Sequence, residues 1–235
     1  MKRLKMISVG ETDSTNRWLR DYGGTEDMIV TTDYQTAGRG CGGNHWESER
    51  GSNLLFSLLL HPAALSADRA FVISQAVSVA LCDVLTEYAN GFTIKWPNDI
   101  YWQNRKICGM LIENRLHGSM ITDCIIGIGI NVNQQVFTSD APNPVSLCQI
   151  TGAEVDRAVL LSRFLARLAS AIDEPLIGEA YSRRLYRRSL TASYRDADGE
   201  FEAVLDGVAP DGRLMLTDRS GRQRLYAFKE VAFVI

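Results

Sequence analysis

The sequence predicts an α+β fold, in which a mixed β-sheet with helices forms the larger part and a small all-β barrel follows it. Three patterns indicate this. Residues 53–60 are almost continuously apolar, as in a strand that is covered on both faces. Residues 126–132 alternate apolar with small or polar side chains, which is the period of a strand. After Ser189, short strand-like runs are separated by Asp-Gly and Ser-Gly pairs, which are typical of hairpin turns.

Length and composition fit this division. At 235 residues the chain is longer than an average domain, so we expect one large domain at residues 1–188 and a small one at residues 189–235. Apolar residues make up 46% of the chain, which is enough for a conventional core.

The first quarter of the chain predicts strands separated by short helices. Residues 7–9 have the character of a strand, and Asp13 or Ser14 is placed to cap a short helix. Residues 28–32 supply another strand. Beyond the apolar run, Asp68 is placed to cap a longer helix with apolar residues at helical spacing.

The rest of the chain continues the alternation. Residues 92–94 and the apolar stretch after Arg105 predict strands, and residues 155–172 predict an amphipathic helix. Pro175 begins a second helical stretch that reaches Leu185. The runs assigned to the barrel are residues 201–205, 214–216, 225–228 and 231–235.

The composition disfavours several classes of function. The formal net charge of −3 and the lack of a long basic run argue against a nucleic-acid-binding protein, and we read the arginines at positions 183–188 as a solvated helix face. Five scattered cysteines, odd in number and never spaced as C-x-x-C, suit reduced thiols in the cytoplasm. Three dispersed histidines have no zinc-type spacing, so we expect no protein-held transition metal.

We expect no signal peptide at the N-terminus. It is basic, but Gly10, Glu11 and Asp13 interrupt the apolar stretch that follows. We also expect no segment long enough to span a membrane.

The glycine-rich segment at residues 38–46 is the clearest functional feature. Its glycine N–H groups can approach an anion closely, Arg39 offers a planar fork for phosphate oxygens, and Trp46 can stack on a base. The G-x-G-x-x-G spelling fits a Rossmann loop, but the polar, glycine-broken residues 44–53 do not open a helix. A plain tight turn remains an open interpretation.

Two further segments bring charges together. Residues 95–100, Lys-Trp-Pro-Asn-Asp-Ile, follow a short strand and place a cation, an amide and a carboxylate side by side. Lys106 lies in a basic turn that feeds another buried strand. Hairpin punctuation at Asn98-Asp99 and Gln103-Asn104 is the alternative interpretation.

Together these motifs resemble biotin protein ligases over essentially the whole chain. The motifs, in order, are Asp13-Ser14-Thr15-Asn16, Gly38-Arg39-Gly40, Lys95-Trp96-Pro97-Asn98-Asp99, Lys106-x-x-Gly109 and Gly127-Ile128-Gly129-Ile130-Asn131-Val132-Asn133. The resemblance implies a class II synthetase-like biotin/lipoate ligase fold, with a C-terminal barrel similar to SH3 domains.

The resemblance also implies an activity and its residues. Such enzymes form biotinyl-AMP and pyrophosphate from biotin and ATP with Mg²⁺, and then pass biotin to a lysine of a biotin carboxyl carrier protein, such as that of acetyl-CoA carboxylase. The implied catalytic residues are Lys106, Arg39 and Asp99, with Asp99 holding Mg²⁺ or orienting the incoming amine. The implied biotin-binding residues are Ser14, Thr15, Gln35, Gly38, Arg39, Lys106, Gly109 and Gly127. The implied nucleotide-binding residues are Arg39, Gly40, Trp46, Lys95, Asn98 and Asn131.

The chain departs from the family pattern in two ways. Some bacterial members have further arginines after the second glycine of the loop, where this chain has Cys41, Gly42, Gly43 and Asn44. We therefore expect adenylate retention to depend on backbone N–H groups and Arg39. The first motif also begins almost at Met1, where repressor-type members carry a DNA-binding domain, so DNA binding is not expected.

Alternatives stay open for residues and for function. Helix capping is the plain interpretation of Ser14 and Thr15, and a core aromatic that of Trp46. A lipoate ligase or octanoyl transferase resembles the same fold, although Trp-Pro-Asn-Asp and the barrel favour biotin. A non-catalytic biotin or adenylate sensor is disfavoured by the presence of Arg39, Asp99 and Lys106.

Overall fold

The computed structural model describes residues 4–138 and 143–235. Its helices are α1 (Thr15–Tyr22), α2 (Phe71–Thr86), α3 (Leu147–Thr151), α4 (Arg157–Ala171) and α5 (Ile177–Arg183). Its strands are β1 (Lys5–Thr12), β2 (Met28–Gln35), β3 (Leu54–Leu60), β4 (Phe92–Lys95), β5 (Asp99–Trp102), β6 (Arg105–His117), β7 (Met120–Ile130), β8 (Thr191–Asp196), β9 (Gly199–Val208), β10 (Leu214–Asp218), β11 (Gln223–Tyr226) and β12 (Ala232–Phe233).

Seven strands form a mixed sheet in the order β1-β2-β3-β7-β6-β5-β4. Strands β1 and β2 are parallel, with α1 as the crossover between them, and the other pairs are antiparallel. All seven residues of β3 are buried, as its apolar run predicts for a strand near the middle of a covered sheet.

The last five strands form an antiparallel sheet in the order β11-β10-β9-β8-β12. Its inward side chains, among them Tyr194, Leu205 and Leu216, are buried. The mixed sheet with helices and the second small sheet confirm the predicted α+β fold class. The division at residues 188 and 189 stays a prediction.

Helix α2 is apolar on nearly all sides because it lies in the core between the mixed sheet and helices α4 and α5. The helical stretch Ala67–Thr86 is long and apolar enough to cross a membrane by length and composition, so the expectation that no segment reaches that length is wrong. Of the 18 most apolar consecutive residues in this stretch, 61% are buried within the protein, as is usual for a core helix.

Local sequence signals misplaced one helix start, and three elements were not predicted. Asp68 lies in a 3₁₀ turn before α2, whose N-cap is Ala70, so the predicted cap is wrong. The sequence does not predict strands β5 and β8 or helix α3. Helix α3 begins with a capping box, in which the Gln149 side chain accepts from the backbone N–H of Ser146.

The turn between β4 and β5 is anchored from two sides. Tyr181 of α5 and Ser74 of α2 both donate hydrogen bonds to the Pro97 carbonyl oxygen, at 2.9 and 3.1 Å. The indole N–H of Trp96 donates to the Gly212 carbonyl oxygen at 2.9 Å, which ties the same turn to the second sheet. Helices α2 and α5 on one side and the second sheet on the other therefore position residues 96–99.

We expect Phe164→Ala to lower the free energy of unfolding by about 3–5 kcal/mol, because it empties a fully buried site. The Phe164 ring is 0% exposed and lies 5.5 Å from the Phe56 ring, centroid to centroid. Urea denaturation measures the change. Val159→Ala on the same helix is the control, since Val159 is 42% exposed and should shift stability by no more than about 0.5 kcal/mol. Equal losses in the two variants would contradict this packing.

Candidate active site

A cavity of about 520 Å³ lies at the end of the mixed sheet where β5, β6 and β7 meet the glycine-rich loop and the second sheet. Of the predicted site residues, those that line it are Ser14, Thr15, Gln35, Arg39, Gly40, Trp46, Lys95, Asn98, Asp99, Lys106, Gly109 and Gly127. Gly38 and Asn131 are not among its lining residues. The structure thus brings residues of all five separated sequence motifs to one place.

Lys106 and Asp99 form an ion pair in this cavity. Strands β5 and β6 are antiparallel neighbours, and a register shift after Ile100 brings the two side chains to the same face. Lys106 Nζ lies 2.7 Å from Asp99 Oδ2, and 5.9 Å from the centroid of the Trp46 ring. The pair presents a fixed cation beside an acceptor, which is suited to an anionic substrate that must be oriented.

Lys95 is half-buried beside the pair. Its Nζ lies over the rings of Tyr101 and Phe233, 5.3 and 4.9 Å from their centroids. Burial lowers the pKa of Lys95 from its usual value, and the charges of Lys106 and Arg187 lower it further, whereas Asp99 opposes the shift. A partly desolvated cation of this kind gains from the arrival of an anion.

The opposite end of the cavity is polar and closely hydrogen-bonded. Gln35 Oε1 accepts from both the backbone N–H and the hydroxyl of Thr15, at 2.8 and 3.1 Å. Ser57 lies within hydrogen-bond distance of Thr15 Oγ1 and Asn16 Oδ1, at 2.7 and 2.6 Å. Ser14 is the N-cap of α1, yet its side chain makes no capping hydrogen bond. Its hydroxyl is therefore available to a ligand. Helix capping, the plain interpretation of Ser14, does not occupy the side chain.

The glycine-rich loop folds as a tight hairpin rather than as the start of a helix. Arg39 and His45 form an isolated antiparallel bridge, and Trp46 N donates to the Gly38 carbonyl oxygen at 3.0 Å. A Cβ on Gly38 would stand 2.7 Å from the Trp46 carbonyl oxygen, so only glycine allows the two arms of the loop to approach this closely. Gly42, with φ of 77°, lies at the tip.

The loop is fastened to the sheet by side chains. Asn98 Nδ2 donates to the Met110 carbonyl oxygen at 2.7 Å, and Cys41 Sγ lies 3.5 Å from both Asn98 Nδ2 and that carbonyl oxygen. The half-exposed Arg39 has its NH1 atom 3.8 Å from Glu113 Oε1. Arg39 is therefore only loosely paired and can turn to a ligand.

Trp46 lies against bare backbone. A Cβ on Gly129 would stand 2.4 Å from its Cε2 atom, and one on Gly109 would stand 2.9 Å from its Cζ3 atom. The two glycines are direct cross-strand partners in β7 and β6. The indole Nε1 is buried and has no hydrogen-bond partner among the described residues. An unpaired buried donor at a cavity wall is a natural contact for a ligand acceptor.

Asn131 serves the fold instead. It is 4% exposed, and its Nδ2 donates to the Val145 carbonyl oxygen at 3.2 Å, while its backbone N–H donates to the Ile107 carbonyl oxygen at 2.9 Å. These bonds hold the chain after β7 against β6 and against the segment at Val145. The predicted contact of its side chain with adenine has no geometric support.

Sequence reasoning missed the wall that the second sheet provides. Phe228, Lys229, Val231, Ala232 and Phe233 line the cavity. They match none of the motifs found in the sequence. The one sequence feature that could have pointed to this wall is the pair Phe228-Lys229, an aromatic residue next to a lysine, and Phe228 is exposed in the structure.

Comparison with known proteins identifies the family. A model described as the biotin/lipoate A/B protein ligase family matches residues 11–131. The chain belongs to this family. Two similar relatives are a bifunctional ligase/repressor of Bacillus subtilis, 29% identical over 93% of this chain and 70% of its own, and a biotin–acetyl-CoA-carboxylase ligase of Paracoccus denitrificans, 30% identical over 92% of this chain and 95% of its own.

Solved structures of the biotin/lipoate ligase family share the fold. A biotin protein ligase from Aquifex aeolicus, in complex with biotin and ATP, matches 97% of both chains with a TM-score of 0.81 and 26% identity. A Leishmania major biotin protein ligase matches 97% of this chain and 100% of its own with a TM-score of 0.66 at 21% identity, which shows the fold alone.

We expect Gly127→Ala to lower the free energy of unfolding by about 1–3 kcal/mol, because a Cβ at that position would stand 2.2 Å from Asn16 Oδ1. Asn16 cannot move away easily, since it is bonded to Ser57, Leu111 and Glu113. Gly10→Ala in β1 is the control, because nothing lies within 4 Å of its Cβ. Urea denaturation compares the two, and equal stabilities would refute the close approach.

We expect Lys95→Met to raise the free energy of unfolding at pH 7. The pKa of Lys95 is lower in the folded than in the unfolded state, so the unfolded chain binds the proton more tightly and folding is opposed below the unfolded pKa. The gain from Met should therefore shrink as the pH rises through the folded pKa of Lys95 and vanish only above the ordinary lysine value of 10.5. Urea titrations from pH 7 to above that value measure the gain. A gain that is independent of pH would show that packing alone is responsible.

Proposed function

We propose that this protein is an ATP-dependent biotin protein ligase, which joins biotin to a lysine of a carboxylase carrier protein through biotinyl-AMP. The observation that carries the proposal is the Lys106–Asp99 pair, held at 2.7 Å in a cavity whose glycine-rich loop carries Arg39. The biotin protein ligase from Aquifex aeolicus, similar over nearly its whole length, binds biotin and ATP.

The first step of this reaction needs concentrated positive charge. A carboxylate oxygen of biotin attacks the α-phosphorus of ATP, an oxygen–phosphorus bond forms, and pyrophosphate leaves with the electron pair of the broken bond. Two anions must approach each other, so fixed cations lower the barrier more than any general base can. Lys106 is placed to bridge the carboxylate and the α-phosphate, and Arg39 to bind the phosphate and order the loop.

The second step transfers biotin to the carrier. The neutral amine of the carrier lysine attacks the acyl carbon of the mixed anhydride, and AMP leaves. Asp99 is the acceptor nearest to Lys106 and is suited to orient the incoming ammonium or to receive its proton. Lys95 is placed to contact the phosphate or the incoming substrate.

Biotin would lie toward the polar end of the cavity. The free hydroxyl of Ser14, together with Thr15 and Gln35, offers the donors and acceptors that a ureido ring requires. Gly127 and Gly109 leave room for the pocket to close over it. Gly38 contributes through the shape of the loop and makes no cavity contact.

The nucleotide would lie between the glycine-rich loop and the second sheet. Trp46 offers an aromatic face and a free indole N–H to adenine, and Gly40 offers approachable backbone. Asn98 supports the loop through Met110 and Cys41 rather than by direct charge. Asn131 is not assigned to the nucleotide, because its amide is used within the fold.

Mg²⁺ accompanies ATP in this proposal. Asp99 is the one carboxylate among the described residues that line the cavity, and no group of three His, Cys, Asp or Glu side chains that could hold a metal occurs in the described part of the chain. A single carboxylate fits an ion that keeps most of its waters and is shared with substrate phosphates. When bound, Mg²⁺ would neutralise phosphate charge.

The acceptor and the location are also proposed. The carrier is the biotin-accepting subunit of a carboxylase, as the name of the Paracoccus denitrificans relative indicates for that protein. All five cysteines are free, which supports a reducing compartment such as the cytoplasm. A sensor without catalysis would have no need for the Lys106–Asp99 pair beside Arg39.

The test is mass spectrometry of the purified protein after incubation with ATP, Mg²⁺ and either biotin or lipoate. We expect biotinyl-AMP and pyrophosphate with biotin. Lipoyl-AMP alone would assign the protein to the lipoate ligases. If neither adenylate forms, the proposed ligase activity is refuted.

We expect Lys106→Gln to slow formation of biotinyl-AMP by about 10²–10³-fold, because it removes a fixed cation from the site of developing charge. Pyrophosphate release measures the rate. Lys5→Gln, which removes an exposed cation on β1, should leave the rate unchanged. A Lys106→Gln enzyme as fast as Lys5→Gln would exclude Lys106 from the reaction.

A further inference from the structure

Lys229 reaches the active-site cavity from the second sheet, at the point where the glycine-rich loop lacks charge. It lies between β11 and β12 and lines the cavity. A Cβ on Gly42 would stand 3.2 Å from Lys229 Cε and 3.4 Å from Nζ. Its stem therefore crosses the bare tip of the loop, where no side chain intervenes.

The backbone at Lys229 is held in this position. Its φ is 73°, in the left-handed region that favours glycine, so a lysine there is an unusual residue. On one side the Phe228 ring packs edge-on against Trp96, with centroids 6.3 Å apart. On the other side Glu230 Oε2 accepts from the Ala227 backbone N–H at 2.7 Å and closes the turn.

The ammonium of Lys229 is not neutralised by a carboxylate among the described residues. The neighbouring Glu230 carboxylate bonds the turn, and Asp99, the one carboxylate among the lining residues that the structure describes, is paired with Lys106. The cavity holds the cations of Arg39, Lys95, Lys106 and Lys229 against that single carboxylate. Lys95 and Lys229 form no ion pair with a carboxylate of the described residues, and Arg39 is only loosely paired with Glu113 at 3.8 Å, so positive charge remains to attract an anion.

Lysine is rare in this chain, which makes its position informative. The lysines are Lys2, Lys5, Lys95, Lys106 and Lys229, whereas the other 20 of the 25 basic residues are arginines. Three of the five lysines line the cavity. Lysine is a compact point charge with three rotatable donors, which suits a phosphate that changes position during a reaction.

We propose that Lys229 is a phosphate-binding residue, which contacts the phosphate chain of ATP and the phosphate of the adenylate from across the glycine-rich loop. It supplies from the second sheet the charge that Cys41, Gly42 and Gly43 do not supply from the loop. Adenylate retention then depends on a cation from outside the loop as well as on Arg39 and backbone N–H groups. This inference rests on the proposed ligase activity.

Lys229→Gly is the sharpest variant, because glycine adopts a φ of 73° without strain and only the ammonium and its stem are lost. We expect the KM for ATP to rise and biotinyl-AMP to dissociate faster, each about tenfold, with the KM for biotin unchanged. The ratio between wild type and variant should shrink as salt is raised, because an exposed charge is screened. Lys229→Arg should restore most of the affinity.

Lys5→Ala is the matched control, since it removes the same charge from the exposed surface of β1 and should change neither constant. Equal KM values for ATP and equal adenylate dissociation in wild type and Lys229→Gly would overturn the assignment of Lys229 while leaving the ligase intact. An equal rise in the KM for biotin, independent of salt, would also overturn it, because that pattern indicates a structural role. A wild-type protein that releases no pyrophosphate refutes the ligase itself.

Discussion

The small size of four adjoining residues on β3, β6 and β7, three glycines and one serine, is the constraint on which the site depends. Gly129 of β7 lies directly opposite Gly109 of β6, and Gly127 lies opposite Ser57 of β3. Because these positions carry little or no side chain, Trp46 and Asn16 can lie against the backbone of the sheet. The three glycines form the floor of the cavity. Charged groups lie at one end of this floor, hydroxyl and amide groups lie at the other end, and the glycine-rich loop lies above it.

The charged end of the cavity lowers the stability of the folded protein. Burial disfavours the ammonium of Lys95, and the nearby cations add to the effect. The surrounding aromatic rings and Asp99 offset part of it. Such a site binds anions well because it is unfavourable without them, and this links the stability of the free protein to the affinity of the occupied one.

Much of the fold could be predicted because its elements carry strong local patterns. The buried run of β3 and the spacing of α2 and α4 leave little choice of structure. Strand β8 was missed because only Tyr194 of its six residues is fully buried, so its alternation is weak. Asp68 misled because capping preference is a local property, and a 3₁₀ turn placed the helix start two residues later. In the site, motif residues were found, but the contact of Lys229 with Gly42 joins positions that no local pattern connects.

Cys41 gives the site a chemical handle. Its four counterparts are buried, and burial raises the pKa of the thiols of Cys82, Cys108 and Cys124, so they react slowly. Cys41 alone is partly exposed, and it lies in the cavity wall beside Asn98. Alkylation of the native protein should therefore modify one thiol in preference to the others, and a ligand that covers the loop should protect it. The rate of that modification reports occupancy of the cavity directly on the protein, without following any product.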